Sequence, residues 1–219
     1  MSRPRTYHSP AREEAARQTR RRVVAAAREL FEARGYAGTT IDAVAERAGV
    51  SRRTVFLSLG SKAELLKTVW DWAVVGDDEP VAMLDRPHIV AMQQVTDPEV
   101  LVRHWVGQIM EVGARVAALA AVLARAVDVD AEAAALQERI DVERRTGVSM
   151  FLRHLDSVGG LRAGLTVPEA VDMCWILMNP LLQQRLLVER GWAPAALEEW
   201  LLRLVTASLL TLTTPGPNP

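Results

Sequence analysis

The sequence is poor in everything that disulfide, metal or secretory chemistry needs. Its 219 residues include one cysteine, Cys174. No disulfide can therefore form within the chain, and no four-ligand zinc set exists. Cys174 lies in an apolar run and reads as a buried free thiol. The four histidines, His8, His88, His104 and His154, are scattered, and none makes a metal pair at helical spacing. There is no nucleophile–base pair, no metal-ligand spacing and no phosphate-binding loop, which argues against an enzyme and against a cofactor. The N-terminus is polar and arginine-rich without an apolar core, so no secretion signal is visible. The apolar run from Val116 to Ala124 is far below the roughly 20 residues that cross a bilayer. A cytoplasmic protein with no membrane partner is expected. No strand alternation and no internal repeat is found, which leaves an all-α chain.

What is present is an uneven distribution of charge. The net charge of −1 conceals two halves: residues 1–72 carry 14 Lys and Arg against 8 Asp and Glu, and residues 73–219 carry 12 against 19. A head of +6 on a body of −7 implies an anionic partner at the head alone. Nucleic acid fits, because neutralising phosphates releases condensed counterions.

The most informative stretch runs from Thr39 to Leu65. Thr39 is read as a helix N-cap with Asp42 three residues on. Ile41, Val44, Ala45 and Ala48 form one apolar stripe. Gly49 ends this helix, since the residue just past a helix end often needs a positive φ. Ser51 caps a second helix, from Arg52 to about Leu59. It is expected to bury Val55, Phe56 and Leu59 and to expose Arg52, Arg53 and Thr54 on its first turn. Two helices joined by a short glycine-containing turn form a helix-turn-helix, whose second helix enters the DNA major groove. Arginine there donates two hydrogen bonds to guanine, and threonine meets a thymine methyl or a phosphate. The same pattern also occurs in ordinary helical bundles. Ser61 and Glu64 cap a third helix, placing Lys62 in its first turn, where a lysine beside a helix N-terminus can clamp phosphate.

The rest of the chain reads as helices. Residues 1–8 form a disordered arm, and Ser9-Pro10 opens a helix to about Arg34 whose early turns carry Arg17, Arg20, Arg21 and Arg22. Beyond the motif, Val81–Val95 holds one or two short helices. Asp97 caps a helix bearing Leu101, Trp105, Ile109 and Val112, and a separate small-residue helix follows from Arg115 to Val127. Asp130 caps a long helix with Leu136, Ile140, Gly147, Met150, Phe151 and Leu155 inward. Thr166 and Glu169 cap the next, expected to run to Arg190 with a kink at Pro180 and with Met173–Met178 buried on several faces. Pro194 opens the last helix, which carries Leu197, Trp200, Leu201, Leu204, Val205, Ser208 and Leu212 on one side. The expected organisation is a helix-turn-helix domain over 9–60, a larger helical bundle over 61–213 and a tail over 214–219, with nine or ten helices in all.

The head resembles the DNA-binding domain of the TetR/AcrR family of transcriptional regulators. The matching residues are Ala27-Arg28-Glu29-Leu30-Phe31 with Gly35-Tyr36, then Thr39-Thr40-Ile41, Ala45-Glu46-Arg47-Ala48-Gly49-Val50-Ser51, Thr54 and Ser61-Lys62-Ala63-Glu64-Leu65. They cover about residues 20–70. The body matches more weakly, through Ala170, Trp175, Asn179-Pro180, Gly191-Trp192 and Trp200. The resemblance implies a homodimer whose last two helices form a four-helix interface. It also implies a body that binds a small-molecule effector and then releases the DNA, as a repressor does. Members usually end the recognition helix with Tyr-x-His/Tyr-Phe, whereas this chain has Phe56-Leu57-Ser58-Leu59. Phe56 has no hydroxyl for a phosphate, and Ser58 is shorter than histidine.

The candidate DNA-binding residues are therefore Thr39, Thr40, Arg52, Arg53, Thr54, Phe56, Ser58 and Lys62, acting on double-stranded DNA in the major groove. A dimer is expected independently, because one such head binds weakly and paired heads read half-sites about 34 Å apart. Its interface candidates are Trp175, Leu182, Leu186, Trp200, Leu201, Leu204, Val205 and Leu209. A ligand pocket among helices is apolar with a few placed polar groups. The candidates are Trp105, Met110, Met150, Trp175 and Met178, with His104, Arg145, His154, Asn179 and Gln183 as polar partners. The rival reading is a helical dimer that acts through protein partners without specific DNA binding.

Overall fold

The computed structural model describes residues 10–211. The arm 1–8, the Ser9 cap, Leu212 and the tail from 213 onward fall outside these described residues. Everything described is helix or connecting loop, with no strand among the described residues. The chain divides into two compact units. One comprises residues up to Trp72 together with Val122–Leu136, and the other comprises Ala73–Ala121 and the residues from Gln137 onward. The return of Val122–Leu136 to the first unit joins distant parts of the chain, and no local pattern announces it.

The first unit is built on α1 (Pro10–Arg34), α2 (Ile41–Ala48), α3 (Arg52–Leu59) and most of α4 (Lys62–Val75). α1 is rich in alanine, arginine and glutamate, which hold helical geometry at little entropic cost. Its Val23, Ala27, Leu30 and Phe31 are buried with Val44, Val55, Leu65 and Leu66. Each such leucine or phenylalanine contributes about 1.5–3 kcal/mol by leaving water. Gly49 adopts φ 66°, and Val50 donates its N–H back to the Ala45 carbonyl at 3.0 Å. This closes α2 with a left-handed turn that a side chain would strain.

The cap of α2 is one residue later than expected. Thr40 accepts the Ala43 N–H at 3.1 Å. Thr39 is 1% exposed and donates its hydroxyl to the Gly35 carbonyl at 2.8 Å. Adjacent threonines both carry a capping hydroxyl, so only the turn geometry decides which one faces the helix end.

In the second unit, α5 (Pro87–Gln93) follows a short 3-10 turn at Met83–Asp85. The remaining helices are most of α6 (Pro98–Ala124) and of α7 (Ala131–Ser157), whose residues within 122–136 count with the first unit, and all of α8 (Val167–Leu177), α9 (Pro180–Gln184) and α10 (Pro194–Leu209). Their core contains Leu101, Trp105, Phe151, Leu155, Val171 and Leu201. The Trp105 and Phe151 rings stack with centroids 4.3 Å apart. α6 is long and apolar enough to cross a membrane, although the run from Val116 alone is too short. Here it is a core helix, with Leu101, Val102, Trp105, Val106 and Leu119 buried.

Four expectations for this unit are corrected. α6 is one helix of 27 residues rather than two. Gly113 lies inside it and serves packing: a Cβ there would overlap the Gln183 amide, which is buried and donates to the Ile109 carbonyl at 3.0 Å. The helix after Thr166 does not continue through a kink. α8 stops at Leu177, Asn179 accepts the Leu181 N–H at 3.0 Å, and Pro180 starts α9, which passes into a π-helical turn at Arg185–Glu189. A proline preceded by a capping side chain begins a helix more readily than it bends one. Met150 and Gly147 of α7 point outward, Met150 being 39% exposed. The run Met173–Met178 is not buried all round: Cys174 is buried, whereas Ile176 is 63% exposed.

Burial pushes the Cys174 thiol up to about 12, so it stays protonated and unreactive. Asp77 is held down to about 2, chiefly by hydrogen bonds from the Arg86 guanidinium at 2.6 and 2.9 Å. A carboxylate lowered in the folded state stabilises above its unfolded pKa, and the contribution disappears as pH falls from about 4 toward 2. Acid unfolding followed by circular dichroism should show less loss across that window in Asp77→Asn than in the parent. Two α-helical glycines should respond oppositely in thermal melts. Gly113→Ala should cost about 1–3 kcal/mol by overpacking. Gly147→Ala, with no atom near the added Cβ, should gain about 0.4–1 kcal/mol.

Candidate nucleic-acid interface

α3 is eight residues long, too short to persist alone in water. Three features hold it. Ser51 accepts the Thr54 N–H at 3.1 Å, the Gly49 turn sets its direction, and Val55 and Leu59 are buried along one edge. With that edge fixed, 3.6 residues per turn puts Arg53 and Leu57 on the far side. Leu57 is 72% exposed and Phe56 61%. Phe56 is therefore not a core residue, contrary to the expectation. It faces outward beside the arginines, in keeping with its place among the DNA candidates. Leu57 was missed altogether, although its position midway between Val55 and Leu59 marks it as outward.

The polar candidates differ in how free they are. Arg52 and Arg53 are both exposed. The Arg52 guanidinium donates to Asp42 at 2.7 Å. Both partners are exposed, so the pair adds little stability. Arg53 makes no ion pair among the described residues. The Thr54 and Ser51 hydroxyls share a hydrogen bond at 2.8 Å. Ser58 donates to the Thr54 carbonyl at 2.8 Å, within its own helix. Thr40 is exposed at the start of α2, where its side chain serves as a cap. Thr39 is removed from the set by its burial. Lys62 donates to the Tyr36 carbonyl at 3.2 Å, and its ammonium lies 3.9 Å above the Tyr36 ring. It braces the α1–α2 connector as much as it faces outward. Burial, then the charges of Asp130 and Glu132, push the Tyr36 phenol up to about 12, so that ring stays neutral. Of the α1 arginines, Arg17, Arg20, Arg21 and Arg22 are exposed, and Arg17 pairs with Glu14 at 3.2 Å.

Residues 23–69 match the family model for bacterial regulatory proteins of the tetR family. The match covers the head alone, which carries a TetR-family DNA-binding domain. The TetR-family head is 40% identical over 58 residues to the HTH-type transcriptional regulator TtgR of Pseudomonas putida, a match covering 26% of this chain and 28% of that protein. It is 41% identical over 54 residues to SrpR of the same species, covering 25% of each. The chain thus aligns with a quarter to two fifths of the length of such curated relatives. Beyond the TetR-family head, likeness is in fold. NalD, the secondary repressor of the MexAB-OprM multidrug efflux pump in Pseudomonas aeruginosa, superposes with TM-score 0.64 at 19% identity, over 90% of this chain and 99% of that one. FadR from Bacillus subtilis, solved with stearoyl-CoA, gives 0.66 at 17%, over 86% and 98%.

In the second unit the ligand candidates separate by exposure. Trp105 is stacked in the core and Gln183 is buried against α6. His104 and Met150 are exposed, as is Arg145, which pairs with Asp172 at 2.5 Å. His154 meets the Val95 carbonyl at 3.0 Å, and the Asn179 side chain is spent on its cap. Met110, Trp175 and Met178 are half-buried against the same core. Arg144 stands over the Trp175 ring and donates to its carbonyl at 3.3 Å.

The interface candidates divide as well. Leu201, Val205 and Leu209 form the inward row of α10 with Leu197 and are buried in their own subunit. A four-residue spacing puts them on the face that α10 turns to the core. Trp175, Leu182, Leu186, Trp200 and Leu204 are half-buried. A surface groove is lined by Trp192, Ala196, Glu199, Trp200 and Arg203, with Trp192 edge-on to Trp200 at 6.0 Å.

Thermal melts should separate scaffold from surface in the TetR-family head. Thr40→Ala and Ser51→Ala should each lower stability by about 1 kcal/mol through the lost cap. Arg53→Ala and Leu57→Ala should stay within about 0.5 kcal/mol.

Proposed function

We propose that the protein is a transcriptional regulator that binds a palindromic operator as a homodimer, acting as a repressor that a small-molecule effector releases. The observation that carries the DNA reading is α3, held along Val55 and Leu59 while its opposite side presents arginine to solvent. Thr40, Arg52, Arg53, Thr54, Phe56, Ser58 and Lys62 make up the contact set. Arg53 is the direct base reader, and Arg52 shares its charge between Asp42 and the DNA.

The dimer reading is supported by apolar side chains that unit two leaves in water. Ile176 is 63%, Val188 75% and Trp192 37% exposed. Trp175, Leu182, Leu186, Trp200 and Leu204 are half-buried nearby in sequence. Repressor action is favoured by NalD's described role, and effector binding by the stearoyl-CoA in FadR. Effector contacts in this chain are proposed for the half-buried Met110, Trp175 and Met178, with His154 as the polar partner.

Selection of genomic fragments bound by the full chain tests the reading. The expected product is a palindrome whose half-site centres lie about one duplex turn apart, or a multiple of it. Binding should fall steeply with salt, and Arg53→Ala should reduce it. Asp42→Asn should tighten it, because Arg52 is released and a negative charge near phosphate is removed. No enriched fragment, or a flat salt response, would refute DNA binding. Sedimentation tests the dimer separately: the parent should run as a dimer, and the double change Ile176→Glu with Val188→Glu should yield folded monomer. A parent that sediments as a monomer would end the dimer reading.

A further inference from the structure

We propose that Leu57, flanked by Phe56, reads thymine methyl groups in the major groove, so that the operator half-site is chosen by apolar contact as well as by arginine. This rests on the DNA-binding reading of α3 and deepens it. Four observations support it. The pole of α3 opposite the buried Val55 and Leu59 is occupied by Arg53 and Leu57, one helical turn apart on one face. Leu57 and Phe56 are among the most exposed large apolar side chains described, at 72% and 61%. The polar side chains around them each hold a partner within the protein: Ser58 the Thr54 carbonyl, Thr54 the Ser51 hydroxyl and Arg52 the Asp42 carboxylate. The fourth observation is the charge. The surface is continuous with an arginine pair on a head of net charge +6, which matches a polyanion.

The chemistry then selects the base. A leucine side chain has no donor or acceptor, so it cannot distinguish hydrogen-bonding edges. In the major groove the apolar feature of a base pair is the thymine C5-methyl. Arg53, one turn N-terminal, pairs with guanine O6 and N7. The half-site should therefore place a guanine near one or two thymines whose methyls meet Leu57.

Deoxyuridine tests this, because it removes the methyl and leaves every hydrogen-bonding edge intact. Duplexes taken from the fragment selection carry deoxyuridine at each half-site thymine in turn, and affinity is read by fluorescence anisotropy. At one or two positions affinity should fall about fourfold per methyl, and about fifteenfold when both symmetric positions change, as expected for one buried carbon each. Leu57→Ala, checked as folded by circular dichroism, should bind the thymine and deoxyuridine duplexes alike, with the parent's salt dependence. Arg53→Ala should keep the methyl discrimination and relax the selection of guanine at its half-site position. Leu57→Gln, which can pair with adenine, should move the selected base from thymine to adenine. An operator indifferent to deoxyuridine at every position overturns the methyl reading while leaving DNA binding intact. So does a Leu57→Ala protein that still discriminates. A selection that enriches no duplex removes DNA binding itself, leaves the exposed pair to a protein partner and overturns this proposal with it.

Discussion

The head depends on the burial of one edge of a very short helix. An eight-residue segment has no stable helical state of its own, and α3 is ordered because Val55 and Leu59 leave water against the first unit. That burial sets its rotation as well as its existence. Once two positions one turn apart face inward, the residues between them must face out, and arginine, phenylalanine and leucine are carried to the surface. The Ser51 cap and the Gly49 turn make the same choice from the other end, by fixing where the helix starts and how the chain enters it. Anchoring and presentation are thus two sides of one packing event.

The outer surface is less free than its composition implies. Arg52 is tied to Asp42, Ser58 and Thr54 turn their hydroxyls onto their own segment, and Lys62 spans the Tyr36 carbonyl and ring. These contacts are exposed or half-exposed, and water competes with each of them, so a polyanion can exchange with them at small cost. What water cannot satisfy is the apolar pair at positions 56 and 57. In the second unit the same contrast recurs. α10 turns Leu197, Leu201, Val205 and Leu209 to its own core, yet Ile176, Val188 and Trp192 remain solvated. Patches of this kind are where a partner gains most from excluding water.

Much of the fold was legible because helix signals are local. Thr166 with Glu169, Asp130, Ser51 and Gly49 each mark a helix boundary through chemistry confined to four or five residues, and each boundary stands where expected. Most of the failures come from contact between distant parts of the chain, and the cap of α2 from the geometry of one turn. Two helices were expected on either side of Gly113, which is instead the space inside one helix that Gln183 fills, 70 positions later. Thr39 and Thr40 are chemically equivalent, and the Gly35 carbonyl decides between them. The final helices were expected to offer one apolar side to a partner, whereas three of the eight candidates, Leu201, Val205 and Leu209, are internal. Periodicity shows that a face is apolar but not which neighbour covers it.

The linear chain was sufficient to determine the all-helical class, the basic head and the helix-turn-helix, and to show the family that the head resembles. The first three follow from side-chain type and spacing, the last from likeness of sequence. Tertiary packing alone decided which arginine is paired, that Phe56 faces solvent, and which leucines of α10 remain inside. The physical reason is that exposure is a property of what lies opposite a residue. In a helical protein the residue opposite is set by packing between segments far apart in sequence.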